Sequence, residues 1–189
     1  MGSSAGASRL ITSRRVNVKM KPVKLNLGGG NQKLDGYDNV DLFAENPEHR
    51  VDLTAFPWPF ADKSVDAVAM LHFLEHVEDL ERTILEVHRI LKLGGEFWVL
   101  VPHQKHPAAY DISHRNHFTC STFHTIAGQA YYRFGGRRLF RTTFFKMPLV
   151  SWRWLKWTPL DVISSRFPVF YEKFIPFAPA NIEWKGIAV

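Results

Sequence analysis

The chain has 189 residues, 46% apolar and 22% charged, the composition of a single soluble domain large enough to bury about 70% of its unfolded surface. One cysteine, Cys120, excludes an intrachain disulfide framework and fits a reducing, cytoplasmic setting, and no apolar run approaches the roughly 20 residues a membrane span needs. The net charge of +6 hides an asymmetry: residues 1–24 carry six basic and no acidic residues, residues 25–102 carry a net −8, and residues 103–189 a net +8.

Residues 1–21 are basic, rich in serine and small residues and without apolar period, and read as a disordered leader. Its composition overlaps that of an organelle transit peptide, but the apolar stretch of a secretory signal is missing. From residue 22 to 189 the chain reads as one domain of alternating strands and helices, an α/β class with a mostly parallel sheet. Val23, Leu25 and Leu27 form a short apolar run that stops at Gly28-Gly29-Gly30, as a buried parallel strand does before a tight turn. A second short strand near Tyr37–Val40 ends at Asp41. A glycine turn after the first strand and an acid after the second is the logic of a nucleotide site, in which backbone approaches the ligand and the carboxylate accepts from a ribose diol. The turn reads G-G-G-N-Q rather than G-x-G-x-x-G, and only 13 residues separate Gly28 from Asp41. That leaves too little chain for a full helix, and with it no seat for a pyrophosphate, so a nucleoside without phosphates suits the site better.

A brief strand is predicted near Arg50–Leu53, and the proline-rich segment Phe56–Phe60 reads as a turn closing one side of the pocket. Val65–Met70 reads as the next buried strand. Leu80, Ile84, Val87 and Leu91 then share one helical face, with Glu78, Asp79 and Glu81 at the N-terminus and Gly94-Gly95 as the stop. A strand follows over Phe97–Val101. The last third holds 18 of the 26 aromatic residues. Tyr132–Arg137 has turn chemistry, Leu139–Lys146 reads as strand, and Asn181–Val189 as the last strand. Between these strands, over about 151–180, Trp152, Trp154, Trp157, Phe167, Phe170, Tyr171, Phe174 and Phe177 form an aromatic insertion.

Taken in order, L-N-L-G-G-G-N, G-Y-D-N-V-D-L, Asp52-Leu53-Thr54, Ser64–Val68, Leu74-Glu75-His76-Val77-Glu78-Asp79 and Leu91-Lys92-Leu93-Gly94-Gly95 resemble the class I S-adenosylmethionine-dependent methyltransferases. The match is to a small bacterial-type subgroup with a shortened first helix. The resemblance implies a Rossmann-like doubly wound sheet with an antiparallel last strand. It also implies S-adenosylmethionine as cofactor, held by Asn26, Gly28, Gly29, Gly30, Asp41, Asp52, Leu53, Thr54 and His72. The family usually places an acid where Asn26 stands; an asparagine carbonyl still accepts from the cofactor's ammonium but supplies no charge.

His72-Phe73-Leu74-Glu75-His76 spells the inverted zincin motif H-x-x-E-H, yet it directly follows a buried strand and its L-E-H portion matches the methyltransferase pattern, so no metal is expected there. His103, His106, His114 and His117 make a second histidine-rich stretch. Imidazole suits proton removal near neutral pH, so His103 and His114 are the candidate general bases or acceptor contacts, with ordering of their loop an equal alternative. The expected function is methyl transfer to an O or N nucleophile, on a sugar, glycoconjugate or other anionic acceptor held by the basic aromatic half. The rival is a non-catalytic module of the same fold that binds nucleic acid or membrane. The helical spacing of Phe167, Phe170, Tyr171 and Phe174 also suits plain core over the sheet edge; among partners of the aromatic half, an anionic membrane ranks ahead of nucleic acid because the basic residues are spread out rather than clustered. Oligomeric state is not legible.

Overall fold

The computed structural model describes residues 21–127, 134–148, 159–174 and 180–189. Six strands, β1 (Lys24–Leu27), β2 (Asp38–Val40), β3 (Val65–Leu71), β4 (Leu91–Pro102), β5 (Phe140–Lys146) and β6 (Asn181–Ala188), form one sheet in the order β2-β1-β3-β4-β6-β5. The first four are parallel, and β6 runs antiparallel between β4 and β5. Burial follows position. Leu25, Asn26 and Leu27 of β1 and Val68–Met70 of β3 are buried on both faces, as parallel strands at a sheet's centre must be. β6 alternates, burying Ile182, Trp184 and Ala188 on one face, whereas β5 is mostly exposed, a polar edge strand with Arg141 and Lys146. A Cβ at Gly186 would stand 2.4 Å from Cη2 of Trp184, so glycine there makes room for the indole in the core.

The turn from β1 to β2 contains no helix, as the short spacing predicts, and neither does the connection from β2 to β3. The strand expected over Arg50–Leu53 shrinks to a single parallel bridge between Val40 and His49. Side chains explain this. Arg50 donates to the carbonyls of Leu42 and Ala44, and Asp52 Oδ1 accepts from both the N–H and hydroxyl of Thr54, so polar turn bonds replace the ladder. The connection is anchored by Trp58, whose indole donates to Leu53 O and whose N–H donates to Glu86 Oε1. Arg89 grips the same carboxylate with Nε and Nη2 and reaches Trp58 O and Asp62, so the proline-rich segment is tied to the helix behind it.

That helix, α1 (Leu80–Ile90), is capped by Asp79, which accepts from Arg82 N, and buries Ile84, Val87 and Ile90. It ends one residue earlier than its apolar period predicts. Leu91 is already extended and pairs with Val65, while Lys92–Gly95 form a bulge before Glu96 resumes the ladder opposite Ala67. Lys92 turns to the carboxylate of Asp66 rather than to the helix end, and Gly94 takes φ 78° within the bulge. Beyond β4, α2 (Cys120–Ile126), α3 (Pro159–Arg166) and α4 (Pro168–Phe174) gather beside the sheet's C-terminal edge. Residues 1–20 of the leader, Trp152, Trp154, Trp157 and Phe177 lie outside the described residues.

Candidate active site

The first and second strands are joined by a buried amide network. Asn26, 3% exposed on β1, donates from Nδ2 to Gln32 O (3.2 Å) and to Asn39 Oδ1 (3.3 Å). Asn39 donates in turn to Gly30 O (2.7 Å). A Cβ at Gly29 would stand 2.2 Å from both amide side chains, so a residue without one lies over the pair. Asn26 needs an amide here because its partners are acceptors, which a carboxylate would repel. Its own Oδ1 is buried without a hydrogen-bond partner. A buried, unpartnered acceptor beside the glycine turn fits a ligand ammonium, and a cofactor with an amino-acid end satisfies it.

Asp41, just past β2, clamps the turn. Oδ2 accepts from Gly30 N, and Oδ1 accepts from the N–H groups of Phe43 and Ala44, each at 2.8 Å. Three of a carboxylate's approximately four acceptor positions are therefore used by backbone. The bidentate grip on a ribose expected from the sequence is thus reduced to one position on Oδ2.

Opposite lies a cleft of about 420 Å³ lined by Leu53, Thr54, Phe56, Phe73, His76 and Asp79 among others. Its apolar walls with polar groups at the rim suit a flat heteroaromatic ring. Asp52 closes the turn that presents Leu53 and Thr54, and the hydrogen bonds from Thr54 hold its carboxyl below the usual range. Phe73 joins the two halves, lining the cleft while its ring packs on Gly28 (φ 70°). His72 precedes it with a left-handed backbone, φ 56°, an unusual conformation for a residue with a Cβ and one that clusters at functional sites. Its side chain is 48% exposed, and Nδ1 lies 3.2 Å from Glu75 Oε1.

The two histidine candidates separate. His103 at the end of β4 is 0% exposed, with Nε2 2.9 Å from Glu172 and Nδ1 accepting from Lys105 N, so neither nitrogen is free. Its general-base assignment gives way to a positioning one: Glu172 binds His103 and also accepts from Cys120 N, fastening α4 to β4 and α2. Burial and the Glu172 carboxylate push the Cys120 thiol up to about 12, which leaves it no nucleophilic character at neutral pH. His114, by contrast, reaches the site. Arg115 and Asn116 donate their N–H groups to Glu75 O, and Asn116 Nδ2 donates to the carbonyls of Leu74 and Val77. The ring of His114 meets that of His76 edge-on at 4.7 Å. The sequence placed Glu75 and His76 in a motif with His72; the contact that matters structurally is with His114, from a segment 38 residues further along the chain. The signal was the pair of histidine-rich stretches, but nothing in spacing says that they meet.

Residues 35–99 match a family model described as "Methyltransferase domain". The fold resembles solved methyltransferases. One is an S-adenosylmethionine-dependent methyltransferase from Mesorhizobium loti (17% identity, 88% of this chain and 91% of that one, TM-score 0.55). Another is a putative one from Listeria monocytogenes (12%, 89% and 90%, 0.58). A third is geranyl diphosphate C-methyltransferase from Streptomyces coelicolor, solved with S-adenosyl-L-homocysteine (13%, 89% and 71%, 0.55). At these identities the structural likeness establishes the fold. That fold is the one shared by these methyltransferases, and the family model matches its stretch from the turn after β1 into β4.

Proposed function

We propose that the chain is an S-adenosylmethionine-dependent methyltransferase that moves the cofactor's methyl group to an O or N nucleophile, on a sugar, glycoconjugate or other anionic small-molecule acceptor, at the C-terminal edge of β3. The observation that carries this reading is the pinning of His114 onto Glu75 and His76, beside the cleft that His76 lines. Asn26 Oδ1 takes the cofactor's ammonium, the turn at Gly28–Gly30 lets backbone approach its amino-acid end, and Asp41 accepts from the ribose. Leu53, Thr54 and Phe73 hold the adenine, with Asp52 fixing the turn that carries them and His72 beside them. The sulfonium supplies the leaving group, so the protein's work is to align acceptor and methyl group and keep water away. His114 is the acceptor contact, and its imidazole takes the proton when the acceptor is a hydroxyl. Calorimetric titration with S-adenosyl-L-homocysteine, followed by a screen of hydroxylated and amine acceptors with labelled cofactor, tests this. Failure of S-adenosyl-L-homocysteine to bind would overturn the site, and labelling of carbon alone would overturn the acceptor class.

A second feature concerns where the acceptor comes from. On α3 and α4, Phe167, Phe170 and Phe174 are 59%, 53% and 60% exposed, with Val162 and Val169 beside them and Arg166 and Lys173 at their edges. Exposed aromatics flanked by cations favour peripheral contact with an anionic membrane carrying the acceptor. Among the described residues no helix is long and apolar enough to cross a membrane.

A further inference from the structure

Methyl transfer as described gives the side chains of Glu75 and His76 no chemical role of their own beside His114. Glu75, His76 and His114 each direct a potential metal-ligating atom into a space where these atoms lie within 4.8 Å of one another. Glu75 is 1% exposed; its Oε1 meets His72, but Oε2 is buried with no hydrogen-bond partner. His114 Nδ1 is likewise buried and unpartnered. Two orphaned buried polar atoms, on residues 39 apart in the chain that belong to one cluster, carry a desolvation cost that folding alone leaves uncompensated.

The third member is already in a ligand's tautomer. His76 Nδ1 lies 3.2 Å from Ser113 O. A carbonyl only accepts, so Nδ1 carries the proton and Nε2 is left with its lone pair free. A ring nitrogen bonded to a backbone carbonyl is the usual outer support of a metal-bound imidazole, and His72 supports Glu75 Oε1 in the same way. The loop carrying His114 is held by backbone bonds from Arg115 and Asn116 to Glu75 O, so the donors are fixed relative to one another before any ion arrives.

We propose that Glu75, His76 and His114 bind one divalent cation of the zinc class. Two imidazoles and one carboxylate are a set that such ions favour, and three protein ligands leave a position open. Ligands of a tetrahedral zinc stand roughly 3.4 Å apart for bonds of about 2.1 Å, so drawing the donors together from within 4.8 Å needs side-chain rotation, chiefly of exposed His76. This is not the H-x-x-E-H arrangement, because His72 serves Glu75 instead of the ion. His76 also lines the cleft assigned to the adenine, so the cation would stand between that cleft and the loop of His114 on which the acceptor reading rests. Resting on the methyl-transfer reading above, the acceptor is then an oxygen nucleophile: with His114 engaged as a ligand in place of its role as base, the hydroxyl oxygen would bind the cation, lose its proton to solvent, and attack the methyl as an alkoxide or phenoxide while the sulfonium leaves as a neutral thioether.

The test uses the full-length protein, stripped with a chelator and titrated with zinc against a chromophoric competitor, and with cobalt(II) for its visible spectrum. One equivalent of zinc and an intense four- or five-coordinate cobalt spectrum are expected. His76→Ala, at an exposed position, and His114→Ala should each weaken zinc by a hundredfold or more, above the roughly 10–100-fold typical of losing an outer support. His117→Ala, in the same loop but outside the cluster, should leave affinity unchanged. No stoichiometric zinc or cobalt in folded wild-type protein, or equal affinity in His76→Ala, overturns the site. S-adenosyl-L-homocysteine titrated into the stripped protein separates the two readings. Cofactor binding without metal binding sinks the metal site alone, and metal binding without cofactor binding sinks the methyl-transfer site alone.

Discussion

The ring of Phe73 lies against the α-carbon of Gly28 so closely that a Cβ there would stand 2.0 Å from Cδ2. One contact therefore couples the glycine turn after β1 to the cleft beyond β3. Gly28→Ala suffers twice: φ 70° costs a residue with a Cβ about 1–2 kcal/mol, and the ring is displaced from the cleft wall. The variant is expected to lose stability and cofactor affinity together. In a Phe73→Ala background the same substitution should cost only the backbone strain. Equal costs in both backgrounds, measured by urea unfolding, would show that the ring does not constrain the turn.

Asn26 stands where the methyltransferase resemblance leads one to expect an acid, and Asn26→Asp tests why. The new carboxylate would face Asn39 Oδ1 and Gln32 O, both acceptors that now receive the amide. The variant should lose about 1–3 kcal/mol of stability at neutral pH, with the loss shrinking in acid as the carboxyl protonates and can donate again. Cofactor affinity should not rise in proportion to the added charge. A more stable, tighter-binding Asn26→Asp protein would mean that the amide network has no role.

With one acceptor position left for a ribose hydroxyl, Asp41→Ala should weaken S-adenosyl-L-homocysteine by about 1.5–3 kcal/mol, roughly 10–150-fold. Part of that loss comes from freeing the N–H groups of Gly30, Phe43 and Ala44. Asp41→Asn, which keeps one acceptor oxygen, should fall between the two. Unchanged affinity in Asp41→Ala removes the ribose assignment.

Glu172 makes an acid-sensitive fastening. Burial pushes its carboxyl up, but the bonds from His103 and from the thiol and N–H of Cys120 outweigh it, and the result lies below the ordinary 4.5. A group with a depressed folded pKa stabilises above the unfolded value and loses that contribution as pH falls through the folded one. Glu172→Gln should therefore melt below the wild type by about 4–8 °C near pH 7, for a loss of about 2 kcal/mol. The gap should close as the pH falls below the ordinary carboxylate value of 4.5 and through the lower folded one. A gap independent of pH would show that Glu172 acts by packing alone.

The exposed faces of Phe167, Phe170 and Phe174 predict that the protein pellets with anionic vesicles more than with neutral ones, and that salt weakens the association. Removing residues 1–21, with five of the six basic residues found among residues 1–24, should leave part of this binding. Loss of all binding on that truncation would assign it to the leader and leave the α3–α4 face without a lipid role.

Some of this was written in the sequence because it depends on residues close together in the chain. Leu25 and Leu27 beside three glycines, 13 residues before Asp41, settle a buried strand, a tight turn and the lack of a helix between the first two strands. Ile84 and Val87 settle which face of α1 is inside, and alternation over Asn181–Ala188 settles β6. What the sequence left open depended on partners distant in the chain. Arg50–Leu53 has the composition of a strand, but side-chain bonds to nearby carbonyls and N–H groups made it a turn. His103 and His114 look alike in sequence. One is consumed by Glu172, 69 residues away, and the other is delivered to Glu75 and His76 by two backbone hydrogen bonds. An imidazole's chemistry is set by which of its nitrogens is free. Only the tertiary structure, which decides what stands within 3 Å of each, determines that.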